Sequence, residues 1–147
     1  MVMNFKDDEM NLQGRNIKNT DKGEYNCGGY ALNLFNWFQP YKDGECMSFF
    51  GWFAGKEKTQ RIMVKYLLEN FNLRIVKGIE ELKPKEYAVA FRLSERDFHF
   101  VKRCDNGVWR HKRGGLGEIE IMKKEKVFSK SWDGGYDSEL ILFAVQK

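Results

Sequence analysis

The sequence predicts an α+β domain in which helices come first and an antiparallel sheet follows. Two patterns and one turn carry that expectation. Between residues 27 and 70 apolar residues recur at the spacing of one helix face, and beyond residue 72 they alternate with a period of two. Within the second region, Asp105-Asn106-Gly107 has the composition of a tight turn between strands. Segregated helices and strands of this kind pack as α+β rather than as alternating βαβ units. The 147 residues suit one core, and no linker or internal repeat divides them, so 1–147 is read as a single domain.

Residues 1 to about 24 are polar, without a clear period, and read as an irregular lead-in packed over the domain. A first helix is expected from Cys27, with Tyr30, Ala31, Leu34, Trp37 and Phe38 on one face and Pro40 as its stop. Residues 41–55 contain Ser48-Phe49-Phe50-Gly51-Trp52-Phe53, which reads as an aromatic plug beside that helix. The second helix is expected over Lys56–Asn70, burying Ile62, Met63, Tyr66, Leu67 and Phe71. Strands are expected at Leu73–Val76, Tyr87–Leu93, Phe98–Cys104, Val108–Lys112 and Glu139–Val145.

Composition excludes several classes. Aromatic residues make up 15% of the chain, with 12 Phe and 4 Trp, enough bulk for a core without metal or disulfide staples. Cys27, Cys46 and Cys104 have neither zinc-like nor paired spacing, and an odd count suits a reducing compartment. The N-terminal stretch has no apolar leader pattern and no run approaches membrane-spanning length, so a cytoplasmic protein with no membrane partner is expected. A net charge of +4 is too small a bias to argue for nucleic acid. No metal or organic cofactor is implied. Trp132-Asp133-Gly134-Gly135 reads as a loop, and the glycines at 114, 115 and 117 lack the strand-to-helix context of a phosphate loop.

The chemistry concentrates in Tyr25-Asn26-Cys27-Gly28-Gly29-Tyr30. A cysteine in the first turn of a helix has its thiolate favoured by free backbone N–H groups and by the helix dipole. Gly28 and Gly29 are poor helix formers, and a backbone stripped of side chains there admits a substrate or a close-packed strand. The competing reading is a buried cysteine beside a glycine turn.

Only two histidines occur, His99 and His111. If Asp105-Asn106-Gly107 is a three-residue loop with Gly107 left-handed, residue 103 faces 109 and 101 faces 111. His99, Val101 and Arg103 then share a face with Trp109 and His111, and the two imidazoles are diagonal neighbours about 7 Å apart at the backbone. Arg103 and Trp109 become candidate substrate-binding residues, with Gly28 and Gly29 beside the sulfur. Lys102, Arg110 and Lys112 would point to the opposite face, expected to be solvent-exposed. A two-residue Asn-Gly loop would instead separate the histidines.

Asn26-Cys27-Gly28-Gly29-Tyr30, followed by His99, the Asn106-Gly107 turn and His111, resembles the NlpC-type branch of the papain-like cysteine peptidases and amidases. The resemblance covers roughly residues 25–38 and 97–112. It implies a papain-like fold with N-terminal helices on an antiparallel sheet. Cys27 would be the nucleophile, His99 the base and His111 the third member. Asn26 stands where the family has an acidic residue, and the family's upstream tyrosine near the oxyanion site has no clear counterpart.

The expected activity is amide-bond hydrolysis by a thiol nucleophile through a thioester, on a peptide, a peptidoglycan fragment or a glutamine side chain of a host protein. The alternative is a phage- or mobile-element-encoded binding or inhibitor protein on the same scaffold, without catalysis.

Overall fold

The alternation beyond residue 72 forms a six-stranded antiparallel sheet in the computed structural model, which describes residues 24–113 and 117–147. Most of the polar lead-in, and Gly114 and Gly115, lie outside the described residues. In chain order the elements are α1 (Cys27–Ala31), β1 (Met47–Ser48), β2 (Gly51–Trp52), α2 (Lys56–Asn70), β3 (Leu73–Val76), a 3-10 turn at Ile79–Glu81, β4 (Glu86–Leu93), β5 (Phe98–Arg103), β6 (Trp109–Lys112), β7 (Ile119–Ile121), α3 (Lys124–Val127) and β8 (Ile141–Gln146). The sheet order is β3-β8-β4-β5-β6-β7, and β1 and β2 form a separate hairpin. The fold is α+β, as the segregated patterns imply, and no helix among the described residues is long and apolar enough to cross a membrane.

Strand β4 shows how the sheet is covered. Tyr87, Val89, Phe91 and Leu93 join Met63 and Leu67 of α2 and Cys27 and Ala31 of α1 in one core. Ala88 and Ala90 alternate to the other side, where Val101, Leu142 and Ala144 meet Val127 and Trp132 in a second core. Large residues on one face of β4 and small ones on the other fit α1 and α2 against the first and the short α3 with the loop at Trp132 against the second. Met63 and Leu67 are fully buried, and each is worth about 1.5–3 kcal/mol of transfer free energy.

The expected helix over residues 27–38 stops at Ala31. Asn33 and Phe35 adopt positive φ, and the N–H groups of Leu34 and Phe35 both donate to the Gly29 carbonyl, at 3.0 and 2.9 Å. The chain doubles back so tightly that a Cβ on Gly29 would collide with the Asn36 carbonyl. Lys102 Nζ takes the Tyr30 carbonyl at 3.2 Å and Asn33 Oδ1 at 2.7 Å, one of them a group that a longer helix would have used internally. Trp37, expected on the buried face, is mostly exposed, whereas Phe38 is buried.

A second correction concerns the basic residues. Lys102, Arg110 and Lys112, expected in solvent, have exposures of 0, 1 and 0%. Their side of β5 and β6 lies under α1 and the Tyr25, Tyr30 and Phe35 cluster. The Lys102 ammonium sits 4.0 Å from the Tyr30 ring centre, and that of Lys112 lies 5.2 Å from Tyr25, so ring faces and carbonyls replace part of the lost hydration.

The aromatic plug is also revised. Trp52 is buried and its indole donates to the Ser94 carbonyl at 2.8 Å, but Phe49 and Phe50 at the β1–β2 tip are 87% and 92% exposed. The short β1, β2, β7 and α3 carry too few residues to show a period and were not anticipated.

Candidate active site

Asn26 builds the start of α1. Its Oδ1 accepts from the N–H of Gly29 at 3.0 Å and of Phe38 at 3.1 Å, and its Nδ2 donates to the Phe38 carbonyl at 2.7 Å. One side chain thus caps the helix and ties the returning segment to it. Cys27 is the first helical residue, and its side chain is brought to β5, where the thiol donates to the Phe98 carbonyl at 3.8 Å.

The hairpin register is the one that the three-residue loop implies. Arg103 pairs with Trp109 and Lys102 with Arg110. Gly107 is left-handed at φ +82, and its N–H closes the turn on the Cys104 carbonyl at 2.8 Å. The two imidazoles meet, with Nε2 of His99 2.8 Å from Nδ1 of His111 and the rings edge to face. In the tautomer whose Nε2–H donates to His111, Nδ1 is the nitrogen of His99 left to accept another proton.

Cys27 and His99 line one cavity of about 310 Å³, together with Trp37, Gln39, Tyr41 and Tyr136. A second cavity of about 600 Å³ also reaches His99 and adds His111, Arg113, Glu120, Lys126 and Asp133. Asp97, His99 and Tyr136 belong to both. A larger groove of about 840 Å³ runs between α2 and residues 137–141 and contains none of the three candidate residues.

Electrostatics keep the site neutral. Burial pushes the Cys27 thiol up to about 12, helped by the Asp97 carboxylate and opposed by the N–H groups of Phe100 and Gly28 and by Lys112. The expected thiolate-favouring effect of the helix start is present, and burial outweighs it. Burial, His111 and Arg113 bring the His99 imidazole down to about 3. His111 is lowered by burial and Arg113, against the carboxylates of Glu120, its partner across β6 and β7, and Asp133. At neutral pH the resting site therefore holds a thiol and two neutral imidazoles, not an ion pair.

The residues expected to bind substrate are placed elsewhere. Gly28 faces Phe38 and Phe100, and an added Cβ would lie 2.7 Å from Phe38 Cδ2 and 3.3 Å from Phe100 Cε2. Gly29 receives the returning backbone, so both glycines serve close packing. Trp109 is buried in the second core against Phe128, and Arg103 is half-buried over the Gly107 turn; neither lines the cavities at His99. Cys46 and Cys104, expected to be structural, are buried, and neither is in a disulfide among the described residues.

Three neighbours of His99 escaped the sequence reading. Trp132 and Tyr136 contact its ring at centroid distances of 6.0 and 5.3 Å, and the Tyr136 hydroxyl donates to Asp97 Oδ2 at 3.3 Å. Trp132 and Tyr136 pair as an isolated bridge, with Gly134 and Gly135 both at positive φ between them. Two left-handed glycines flanked by aromatics were the available signal; Asp97, two residues before His99, was another. Comparisons of the chain with protein-family models, curated proteins and solved structures find no match.

Proposed function

We propose that the chain is a papain-like cysteine hydrolase that cleaves amide bonds through a thioester on Cys27. The observation that carries the reading is that His99, 2.8 Å from His111, lines the cavity that holds Cys27. With His99 Nε2–H donating to His111 Nδ1, Nδ1 of His99 accepts the thiol proton as sulfur attacks the acyl carbon. The imidazolium so formed returns that proton to the leaving nitrogen, and water resolves the thioester. His111 fixes the tautomer and stabilises the charged ring through a hydrogen bond that strengthens on protonation. Because thiol and imidazole are both neutral at rest, proton transfer accompanies attack. Peptides, peptidoglycan fragments and protein glutamine side chains are the substrate classes this chemistry serves.

The test uses para-nitrophenyl acetate, which delivers an acetyl group to a competent nucleophile. Intact-mass and peptide mapping should place one acetyl on Cys27, and neither Cys27→Ala nor His99→Ala should acquire it. Acetylation spread over Cys46 and Cys104, or undiminished in His99→Ala, would sink the reading. A non-catalytic binding protein on the same scaffold is the second reading, favoured by the exposed Phe49-Phe50 tip.

A further inference from the structure

Attack of a thiol on an acyl carbon places negative charge on the carbonyl oxygen, and catalysis depends on donors aimed at that charge. One donor is given by the position of Cys27. It opens α1, where backbone N–H groups have no partner within the helix. The side chains of the same cavity can supply a second. The Asn26 amide already donates to the Phe38 carbonyl at 2.7 Å, and that of Gln39 to the Tyr41 carbonyl at 3.3 Å and to Asp43. Tyr41 turns its ring toward Trp52 and Phe98, at centroid distances of 6.1 and 6.4 Å.

Tyr136 differs from all of these. Its ring lies against His99, 5.3 Å between centroids and 36° between planes, and it lines the cavity shared by Cys27 and His99. Its hydroxyl rests on Asp97 Oδ2 at 3.3 Å, long for an O–H bonded to a carboxylate, which ordinarily closes to about 2.5–2.7 Å. The hydroxyl is therefore held weakly, on a ring that lines the cavity of Cys27 and His99. Burial, the Asp97 carboxylate and Cys27 all raise the phenol above its ordinary range, so it is present as a donor at every pH at which the chain would work.

We propose that the Tyr136 hydroxyl is the second oxyanion donor, exchanging Asp97 Oδ2 for the substrate oxygen as the bond to sulfur forms. This rests on the Cys27–His99 reading. The Cys27 sulfur bonds to the acyl carbon, its proton passes to His99 Nδ1, and the carbonyl π pair moves to oxygen. Cys27 N–H and Tyr136 O–H then hold that oxygen. Collapse re-forms the carbonyl, breaks the bond to the leaving group and returns the His99 proton to it, while Tyr136 goes back to Asp97.

The experiment compares two reactions of Cys27 in the full chain. Acetylation by para-nitrophenyl acetate develops an oxyanion, whereas alkylation by iodoacetamide does not. Tyr136→Phe keeps the ring against His99 and removes only the hydroxyl. Acetylation should slow about 100-fold, in the range of a lost oxyanion donor, while alkylation stays unchanged. Tyr136→Ala removes the ring as well and should slow acetylation at least as much. Equal slowing of both reactions in Tyr136→Phe would make Tyr136 a support for His99, and no slowing of acetylation would remove it from the site; either result overturns the assignment. A wild-type chain that acetylates nowhere overturns the nucleophile reading itself, which separates that failure from this one.

Discussion

Opposing influences meet at the Cys27 sulfur. The N–H groups of Phe100 and Gly28 favour a thiolate, but burial holds the thiol at about 12. Iodoacetamide alkylation should therefore rise about tenfold per pH unit from pH 6 to 10, as the thiolate fraction does. A plateau already reached near pH 5 would reveal a preformed thiolate–imidazolium pair instead. His111→Ala should slow acetylation of Cys27 by less than His99→Ala does, since a group that orients the base contributes less than the base itself. Equal rates in His111→Ala and wild type would reduce His111 to a strand residue. His99 also makes an acid-stability prediction. Its folded value of about 3 lies below the ordinary 6.5, so on acidification the unfolded chain takes the proton first. The stabilisation is complete above pH 6.5 and is lost as the pH falls toward 3. Urea midpoints should drop between pH 6.5 and 5, above the range in which ordinary carboxylates titrate, and His99→Phe should flatten that drop.

Among the elements, α1 is the one whose length decides the site. Five residues suffice because Asn26 satisfies its start and Lys102 occupies the Tyr30 carbonyl at its end. Gly29→Ala would drive a methyl group into the Asn36 carbonyl, a backbone atom that cannot rotate away. A loss of about 1–3 kcal/mol or more is expected from such overpacking, measured by urea unfolding. In Gly28→Ala the methyl group meets side-chain atoms of Phe38 and Phe100, so a smaller loss is expected. Equal stability of Gly29→Ala and wild type would contradict the crossing of residues 33–38 over this helix. The second helix was fully legible as an element because its fifteen residues repeat one pattern over four turns, and Lys56–Asn70 is its observed span. The first was read too long, since Leu34, Trp37 and Phe38 continue the same spacing after the backbone has turned left-handed at Asn33.

Across the whole molecule, the sheet separates two cores, and the candidate site lies where helix, hairpin and the 132–136 loop converge. The different weights of Arg103 and Lys112 follow from that layering. Arg103 lies over the turn and outside the cavities, so Arg103→Ala should leave the urea midpoint and Cys27 labelling within error of wild type. Lys112 is fully buried beside Tyr25, and Lys112→Ala should destabilise the fold by about 2–5 kcal/mol, on the scale of truncating other large buried side chains. A stable Lys112→Ala with an unchanged unfolding slope would show that α1 and Tyr25 do not cover that face as described.

The sequence by itself determined the α+β class, the span of α2, the strands β3, β4, β5, β6 and β8 to within two residues, and the hairpin register, and with the register the meeting of His99 and His111. These are local properties: periodicity, loop length and the side-chain alternation of a strand depend on residues close in the chain. Only the tertiary structure decided that Lys102, Arg110 and Lys112 are covered, that Gly28 and Gly29 receive neighbouring chain rather than substrate, and that Trp132, Tyr136 and Asp97 gather around His99. Those facts depend on which segment folds over which face. Polar patterning carries no signal for a cation that finds its partners in aromatic rings and in the carbonyl of a helix 72 residues earlier in the chain.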